Sequence, residues 1–311
     1  MSTIVTTATT RVANLDVPTE NERPKKHHIS TVINYYRDPG DGSPPAPVRI
    51  SEQNKTVKNE RPSVAKPTLV YDITGEEEEG RYTLDKTGFQ FLRGRETQLR
   101  DVADFLDDEV VRKRYYPEVE GLLKDVTGAT NIKIFDHKTR IGPSNWHKLG
   151  EGNRAARGPL FRAHVDQSYV GAEIVLRRYL KSEEADRIID KGERWQIINI
   201  WRPIKRITRD PLAVADARSI REEDLVAASI LYGSGSRDET WTILPGTGHE
   251  WFYKRGQMPD EPLLIKCFDS ATTPGLARRA PHSAFVDPSV SDEDGDGYRE
   301  SIEVRALVFY G

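Results

Sequence analysis

The chain has 311 residues, with 46 basic and 49 acidic side chains, and its formal net charge is −3. This balance provides neither the basic surface typical of nucleic-acid binding nor a polybasic segment for an anionic membrane. No apolar run reaches the ~18 residues that span a bilayer, and the Thr-rich N-terminus lacks the apolar core of a secretory signal, so we expect a cytoplasmic protein without nucleic-acid or membrane partners.

The first part of the chain has the composition of a tail followed by an arm. Residues 1–30 lack aromatic side chains and hydrophobic periodicity, and we interpret them as a flexible tail. Residues 31–95 contain Tyr35 and Tyr36 but also six prolines between positions 39 and 67, which disfavour helix interiors and central strands. We therefore expect an arm that can wrap around a core but cannot form one by itself, in a single domain of residues 31–311 whose helices and core strands lie in residues 96–311.

Helices are predicted next, because apolar residues recur with 3.6-residue spacing. One runs from Leu99 to Val110 and a second from Val119 to Val126, ahead of Gly128. Shorter helices are predicted around Gly171–Leu180, Ser182–Lys191 and Arg221–Ala228. The last of these is preceded by a capping-box pattern formed by Ser219 and Glu222.

Strands dominate the second half, where β-branched and aromatic residues alternate with polar ones. The predicted strands are Asn131–Asp136, Arg162–Asp166, Trp195–Ile204, Thr240–Leu244, Glu250–Tyr253, Leu263–Asp269 and Ile302–Tyr310. Helices followed by a run of strands indicate the α+β class rather than a doubly wound sheet.

Metal chemistry in this chain is restricted to histidine and carboxylate ligands. Cys267 is the only cysteine, so an intrachain disulfide and a cysteine-rich zinc site are both excluded, and we interpret Cys267 as an inert core thiol. His164 and Asp166 occupy alternate positions of a predicted strand and therefore point to the same side. With His282 they would form the two-histidine, one-carboxylate facial triad of non-haem Fe(II) oxygenases, which leaves positions open for oxidant and co-substrate.

Other histidines could also serve as ligands. His137, His147 and His249 are spare candidates for a metal site, although packing accounts for each of them equally well. Asn199 and Trp201 share one face of a predicted strand, where they could line a substrate pocket or simply pack in the core.

The C-terminal strand presents Arg299, Ser301 and Arg305 on one face. A guanidinium beside a hydroxyl could hold the distal carboxylate of 2-oxoglutarate in a bidentate grip, unless Arg299 is a surface cation paired with Glu300 or Glu303. Arg299 and Arg305 lie about 20 Å apart at ~3.3 Å per residue, so both cannot grip the same carboxylate. We favour Arg299, next to Ser301, and keep Arg305 as the alternative if a bulge shifts the register.

An acidic segment near the C-terminus contains a competing motif. The run that begins at Asp292 and ends at Glu303 satisfies the EF-hand loop pattern. Pro281 and Pro288 before it, and the alternating strand after it, disfavour the two helices that an EF-hand needs. A non-catalytic calcium-binding module remains an alternative, as does a zinc hydrolase that uses the same histidine and aspartate ligands.

Several blocks of sequence resemble a known family. They are Leu84–Phe89, His164–Ser168, Asn199–Pro203, Phe268–Ser270, Ala277–His282 and Arg299–Arg305. In this order they are similar to the Fe(II)/2-oxoglutarate-dependent dioxygenases of the gibberellin-desaturase, aspergillic-acid-hydroxylase and cephem-methoxylase-like group. One departure is the acidic insertion between His282 and Arg299.

The resemblance implies a fold and an activity. The implied fold is a double-stranded β-helix, a jelly-roll of the cupin type, supported by N-terminal helices. The implied cofactors are Fe(II), 2-oxoglutarate and O2, with His164, Asp166 and His282 on the metal and Arg299 and Ser301 on the co-substrate. The implied reaction is the hydroxylation, desaturation or cyclisation of a small natural product, with succinate and CO2 as co-products. Neither the substrate nor the oligomeric state is indicated.

Overall fold

The structure, a computed structural model, describes residues 26–51, 56–145, 157–290 and 297–311. The predicted tail up to residue 25, His147 and the acidic residues 292–296 lie outside these ranges. Within them, no helix has both the length and the apolar character required to cross a bilayer.

The described strands, in chain order, form two sheets. They are β1 (Ile29–Tyr36), β2 (Val48–Ser51), β3 (Thr56–Lys58), β4 (Ser63–Asp72), β5 (Phe89–Phe91), β6 (Asn131–Ile141), β7 (His164–Val165), β8 (Trp195–Pro203), β9 (Leu212–Ala215), β10 (Leu225–Tyr232), β11 (Arg237–Ile243), β12 (Trp251–Tyr253), β13 (Leu263–Asp269), β14 (His282–Ala284) and β15 (Glu300–Phe309). Ten strands pair in the order β1-β4-β12-β9-β14-β7-β11-β10-β2-β3, and five in the order β5-β13-β8-β15-β6.

The two sheets pack face to face around a shared core. Ile197 of β8 and Leu307 of β15 point from the five-stranded sheet into the same hydrophobic cluster as Val165 and Val214 of the ten-stranded sheet. The alternate residues of β8 and β15, such as Ile198, point to the opposite side and form a second cluster with the N-terminal helices. Both faces of the small sheet are therefore buried, which is the α+β sandwich that the order of elements predicts.

The N-terminal helices are more broken than the periodicity predicts. The expected helix from Leu99 to Val110 divides into α1 (Val102–Leu106) and α2 (Asp108–Val110), because the Asp107 carboxylate accepts the N–H groups of Glu109 and Val110 and starts a new helix. A π-helical turn, Val111–Tyr115, then leads into α3 (Tyr116–Thr127). Gly128 ends α3 in the left-handed conformation at φ 69°.

Of the three shorter helices, two form as predicted and one does not. The confirmed ones are α4 (Tyr169–Tyr179) and α5 (Ser182–Asp190). The helix predicted at Arg221–Ala228 is wrong: only Glu222–Asp224 makes a 3-10 turn, and the residues after it are strand β10. The capping-box assignment fails too, since the Ser219 hydroxyl donates to the carbonyl of Asp216. Pairing of β10 with β11 and β2 outweighs the local helical pattern.

The proline-rich arm contributes to the sheet, contrary to expectation. β1 pairs along its whole length with residues Ser63 to Val70 of β4, and Ile33 and Tyr35 of β1 lie in the shared core. Pro67 is accommodated within β4 because β12 pairs only with the residues from Val70 to Asp72. The missing N–H of Pro67 therefore falls where β4 has a single neighbour.

Tyr35, a buried tyrosine of β1, contacts Trp251 of β12 in the same sheet, and we expect this contact to stabilise the fold. The Tyr35 hydroxyl accepts the indole N–H of Trp251 at 2.8 Å. We expect Tyr35→Phe to lower the free energy of unfolding by about 1–3 kcal/mol, since the Trp251 donor loses its partner in a buried environment. Urea denaturation measures the change, and Tyr298→Phe at a half-exposed tyrosine is the control. Equal stability of Tyr35→Phe and wild type would contradict this role.

Candidate active site

His164, Asp166 and His282 meet at the centre of the ten-stranded sheet. β7 and β14 are neighbours there, and His164 lies directly opposite His282, with ring centroids 4.3 Å apart. Asp166 follows β7, and its Oδ1 lies 3.4 Å from Nε2 of His164 and 4.0 Å from Nε2 of His282. One ligand atom from each residue lies within 4.8 Å of the other two. The two-residue spacing and the strand pairing thus bring together all three residues singled out in the sequence.

The imidazoles are oriented by backbone carbonyls. Nδ1 of His164 lies 2.7 Å from the carbonyl oxygen of Arg162, and Nδ1 of His282 lies 3.4 Å from that of Ala280. We assign the N–H to Nδ1 in both rings, which leaves the lone pair of Nε2 directed at the cluster. Burial, with a contribution from His164, lowers the pKa of His282 to about 3, so this imidazole is neutral at physiological pH.

Asp166 is held by two donors from the facing sheet. Its Oδ2 accepts the side-chain amide N–H of Asn199 at 2.8 Å and the Nε–H of Arg305 at 2.8 Å. Burial favours the neutral carboxyl, but the positive charge of Arg305 opposes it, and the pKa of Asp166 lies well below its usual range. The cluster therefore presents two imidazoles, of which that of His282 is neutral, and one carboxylate.

The guanidinium of Arg305 contacts two more carboxylates. Besides Asp166, it donates to Asp136 at 3.0 Å and to Glu303 at 2.6 Å. Glu303 is the last position of the EF-hand pattern, yet it lies inside strand β15 on the buried face, so no helix follows the acidic loop. The register also shifts beside Arg305, where β6 has one extra residue, and this irregularity is distant from the acidic insertion.

Arg299 and Ser301 lie further along the same face, where both are buried beside a second arginine. Arg299 donates to the carbonyl of Asp210 at 2.9 Å, and its guanidinium lies 5.5 Å from the centroid of the Trp201 ring. Arg140 of β6 stands opposite Ser301 in the register. Burial, followed by the repulsion of Arg140, lowers the pKa of Arg299 to about 9. Within the described part of the chain, the buried Nε of Arg299 and Oγ of Ser301 have no hydrogen-bond partner.

A cavity of about 810 Å³ lies next to Arg305, which contacts Asp166. Its lining includes Arg305 and Gln167, the residue after Asp166, and the aromatic side chains of Phe135, Tyr179 and Tyr232. Charged residues such as Asp136, Lys138, Arg178 and Asp238 also line it. The buried Oε1 of Gln167 finds no hydrogen-bond partner among the described residues. The cavity therefore combines aromatic side chains with many charged and polar groups.

The remaining candidates lie elsewhere. His137 faces the helices and contacts the Tyr116 hydroxyl and the Asp108 carboxylate, whereas His249 packs between Tyr35 and Asp224. Neither belongs to the His164 cluster. Cys267 is buried, as expected, and burial raises the pKa of its thiol well above the usual value.

Asp136 and Arg140 also lie beside the two candidate arginines of the C-terminal segment, although neither was identified as a candidate from the sequence. Both lie on β6, where Asp136, Lys138 and Arg140 pair in turn with Arg305, Glu303 and Ser301 of β15. The available signal was their alternation in the segment 136–140, which places them on one face of a strand.

Similarity to known proteins covers almost the whole chain. A family profile described as an oxidoreductase/YMDC permease-like domain matches residues 33–309. The hydroxylase/desaturase efuI of Hormonema carpetanum is 35% identical over 303 residues, covering 91% of this chain and 95% of that enzyme. The hydroxylase/desaturase CTB9 of Cercospora beticola is 34% identical over 315 residues, covering 93% and 89%. The alpha-ketoglutarate-dependent dioxygenase phiK, from a fungal species, is 31% identical over 289 residues, covering 91% and 96%.

The fold is also that of a solved enzyme. The structure of the iron and alpha-ketoglutarate-dependent endoperoxidase NvfI matches with a TM-score of 0.74 at 25% identity, over 91% of this chain and 98% of that one. This match confirms the predicted double-stranded β-helix. The chain therefore belongs to the Fe(II)/2-oxoglutarate-dependent dioxygenases, and it is an oxidoreductase whose cofactors are Fe(II) and 2-oxoglutarate, with O2 as the oxidant.

Proposed function

We propose that His164, Asp166 and His282 hold the Fe(II) of this dioxygenase. The observation that carries this assignment is the convergence of their three ligand atoms within 4.8 Å of one another. The donor set fits the metal, because two imidazoles and one carboxylate form the ligand set of non-haem Fe(II) oxygenases. Their backbone and side-chain partners fix the direction of each donor before metal binds.

Arg299 and Ser301 are proposed to hold the distal carboxylate of 2-oxoglutarate. The two side chains fit this group, since the buried Nε of Arg299 and Oγ of Ser301 lack partners within the described residues. A carboxylate would supply acceptors for both donors and would also relieve the repulsion between Arg299 and Arg140. Trp201 would contribute by packing against the guanidinium of Arg299.

The organic substrate is proposed to occupy the cavity beside Arg305 and Gln167. Its volume of about 810 Å³ suits a small natural product, and its lining of aromatic and charged side chains suits a ring system that carries polar groups. When bound, Fe(II), 2-oxoglutarate and O2 supply the oxidising power, with succinate and CO2 as co-products. The residues of the cavity orient one carbon of the substrate towards the metal ligands, and this orientation decides between hydroxylation, desaturation and ring formation. Similar enzymes are named hydroxylase/desaturase and endoperoxidase.

The ligand assignment predicts the effect of three substitutions. His164→Ala, Asp166→Ala and His282→Ala should each abolish Fe(II)-dependent succinate formation and weaken metal binding, because each removes one of three protein ligands. Anaerobic Fe(II) titration and a succinate assay measure the two effects, and His137→Ala is the control because His137 lies outside the cluster. Full activity in any of the three variants would remove that residue from the ligand set. Turnover without O2 would point to a hydrolase instead.

The co-substrate assignment predicts a separate change in affinity. Arg299→Lys should raise the KM for 2-oxoglutarate steeply while leaving the Kd for Fe(II) unchanged, because an ammonium cannot make the bidentate contact of a guanidinium. The loss corresponds to ~1.5–3 kcal/mol for a hydrogen bond to a charged group. Ser301→Ala should act in the same direction and more weakly. Normal 2-oxoglutarate affinity in both variants would place the co-substrate elsewhere.

A further inference from the structure

Three side chains of the five-stranded sheet form a transverse row that faces Asp166. Arg305 lies directly opposite Asp136 on β6 and directly opposite Asn199 on β8, its two neighbouring strands. All three point into the sandwich, and Asn199 and Arg305 reach the carboxylate of Asp166, which follows a strand of the facing sheet. The row therefore bridges the two sheets at the level of the metal ligands.

Asn199 and Arg305 donate to the same oxygen of the Asp166 carboxylate, and neither contacts the other oxygen. Oδ2 of Asp166 accepts both donors at 2.8 Å, whereas Oδ1 faces Nε2 of His164 and of His282 at 3.4 and 4.0 Å. A carboxylate oxygen that accepts two hydrogen bonds, one of them from a cation, is a poor additional metal ligand. Oδ2 is therefore held by hydrogen bonds, whereas Oδ1 remains available to a metal ion.

Arg305 is itself fixed in place. Its remaining nitrogens donate to Asp136 at 3.0 Å and to Glu303 at 2.6 Å, so each nitrogen of the guanidinium has a carboxylate partner. Its side chain is largely buried, at 15% exposure. Moving Arg305 away from Asp166 would require breaking contacts to two other buried or half-buried carboxylates, which is costly at low dielectric.

We infer that Asn199 and Arg305 are positioning residues that make Asp166 bind the metal through Oδ1 alone, with Asp136 acting through Arg305. This inference rests on the proposed ligand set. It differs from the role of substrate-lining residue suggested for Asn199 by the sequence, and from the role of 2-oxoglutarate anchor suggested as an alternative for Arg305. A single ligating oxygen preserves the open positions that the reaction uses for oxidant and co-substrate.

Anaerobic binding of Co(II), a spectroscopic substitute for Fe(II), tests the inference without turnover. Asn199→Ala and Arg305→Lys should each weaken Co(II) binding by about 10- to 100-fold, as is typical for partners of a metal ligand. They should also change the visible Co(II) spectrum, which reports coordination number, since Asp166 becomes free to bind through both oxygens. Asp136→Asn should weaken binding in the wild-type background and have no further effect in Arg305→Lys.

The matched control is Arg202→Lys. Arg202 is a buried arginine on the same strand as Asn199, but it points to the opposite face and donates to the Tyr115 hydroxyl at 2.7 Å. We expect this variant to lose stability without a change in Co(II) affinity or spectrum. If Arg305→Lys fails to fold, as judged by circular dichroism, Asn199→Ala decides the question alone.

The possible results distinguish a failure of the positioning role from a failure of the proposed ligand set. Wild-type Co(II) affinity with an unchanged spectrum in Asn199→Ala, or tighter binding in Arg305→Lys, would overturn the positioning role. Either result leaves the ligand set intact provided that Asp166→Ala has lost the metal. Wild-type Co(II) binding by Asp166→Ala would instead refute the ligand set itself.

Discussion

The carboxylate of Asp166 is a buried charge between two sheets, and the rest of the site is built around its compensation. Removing an ion from water costs several kcal/mol even after the protein relaxes, so a buried carboxylate persists only with close partners. His164 and His282 approach one oxygen, and Asn199 and Arg305 donate to the other. Since these partners come from four strands in two sheets, the position of Asp166 depends on correct packing of the whole sandwich.

This requirement explains why one end of an otherwise apolar sheet is polar. The inner face of β15 changes from Leu307 in the core to Arg305, Glu303 and Ser301 at the site. Each polar residue stands opposite a polar residue of β6, and Arg305 pairs both across the strands with Asp136 and along its own strand with Glu303. A slip of one residue in this register would turn the entire set towards the helices, where Ile302 and its even-numbered neighbours now pack.

The three residues of the His164 cluster could be singled out from the sequence, whereas several residues and strands that hold them in place could not. Alternation alone places His164 beside Asp166, and the predicted bounds of Leu263–Asp269 are those of the structure. The helix expected at Arg221–Ala228 fails because local periodicity carries no information about which strands pair. Asp136 was not predicted for the same reason. Its partner, Arg305, lies 169 residues away, and only the register of β6 with β15 brings the two together.

Arg299 and Arg305, which the sequence places on one face, differ in their burial and in their partners. They lie six positions apart, and the guanidinium of either one could in principle bind an anionic co-substrate. Arg305 already has a carboxylate at every nitrogen, so an added anion would meet a saturated and negatively flanked group. Arg299 has an unpartnered buried Nε within the described chain and a second cation, Arg140, nearby. The unsatisfied arginine is therefore suited to receive an anion, and the satisfied one to hold the carboxylate of Asp166 in place.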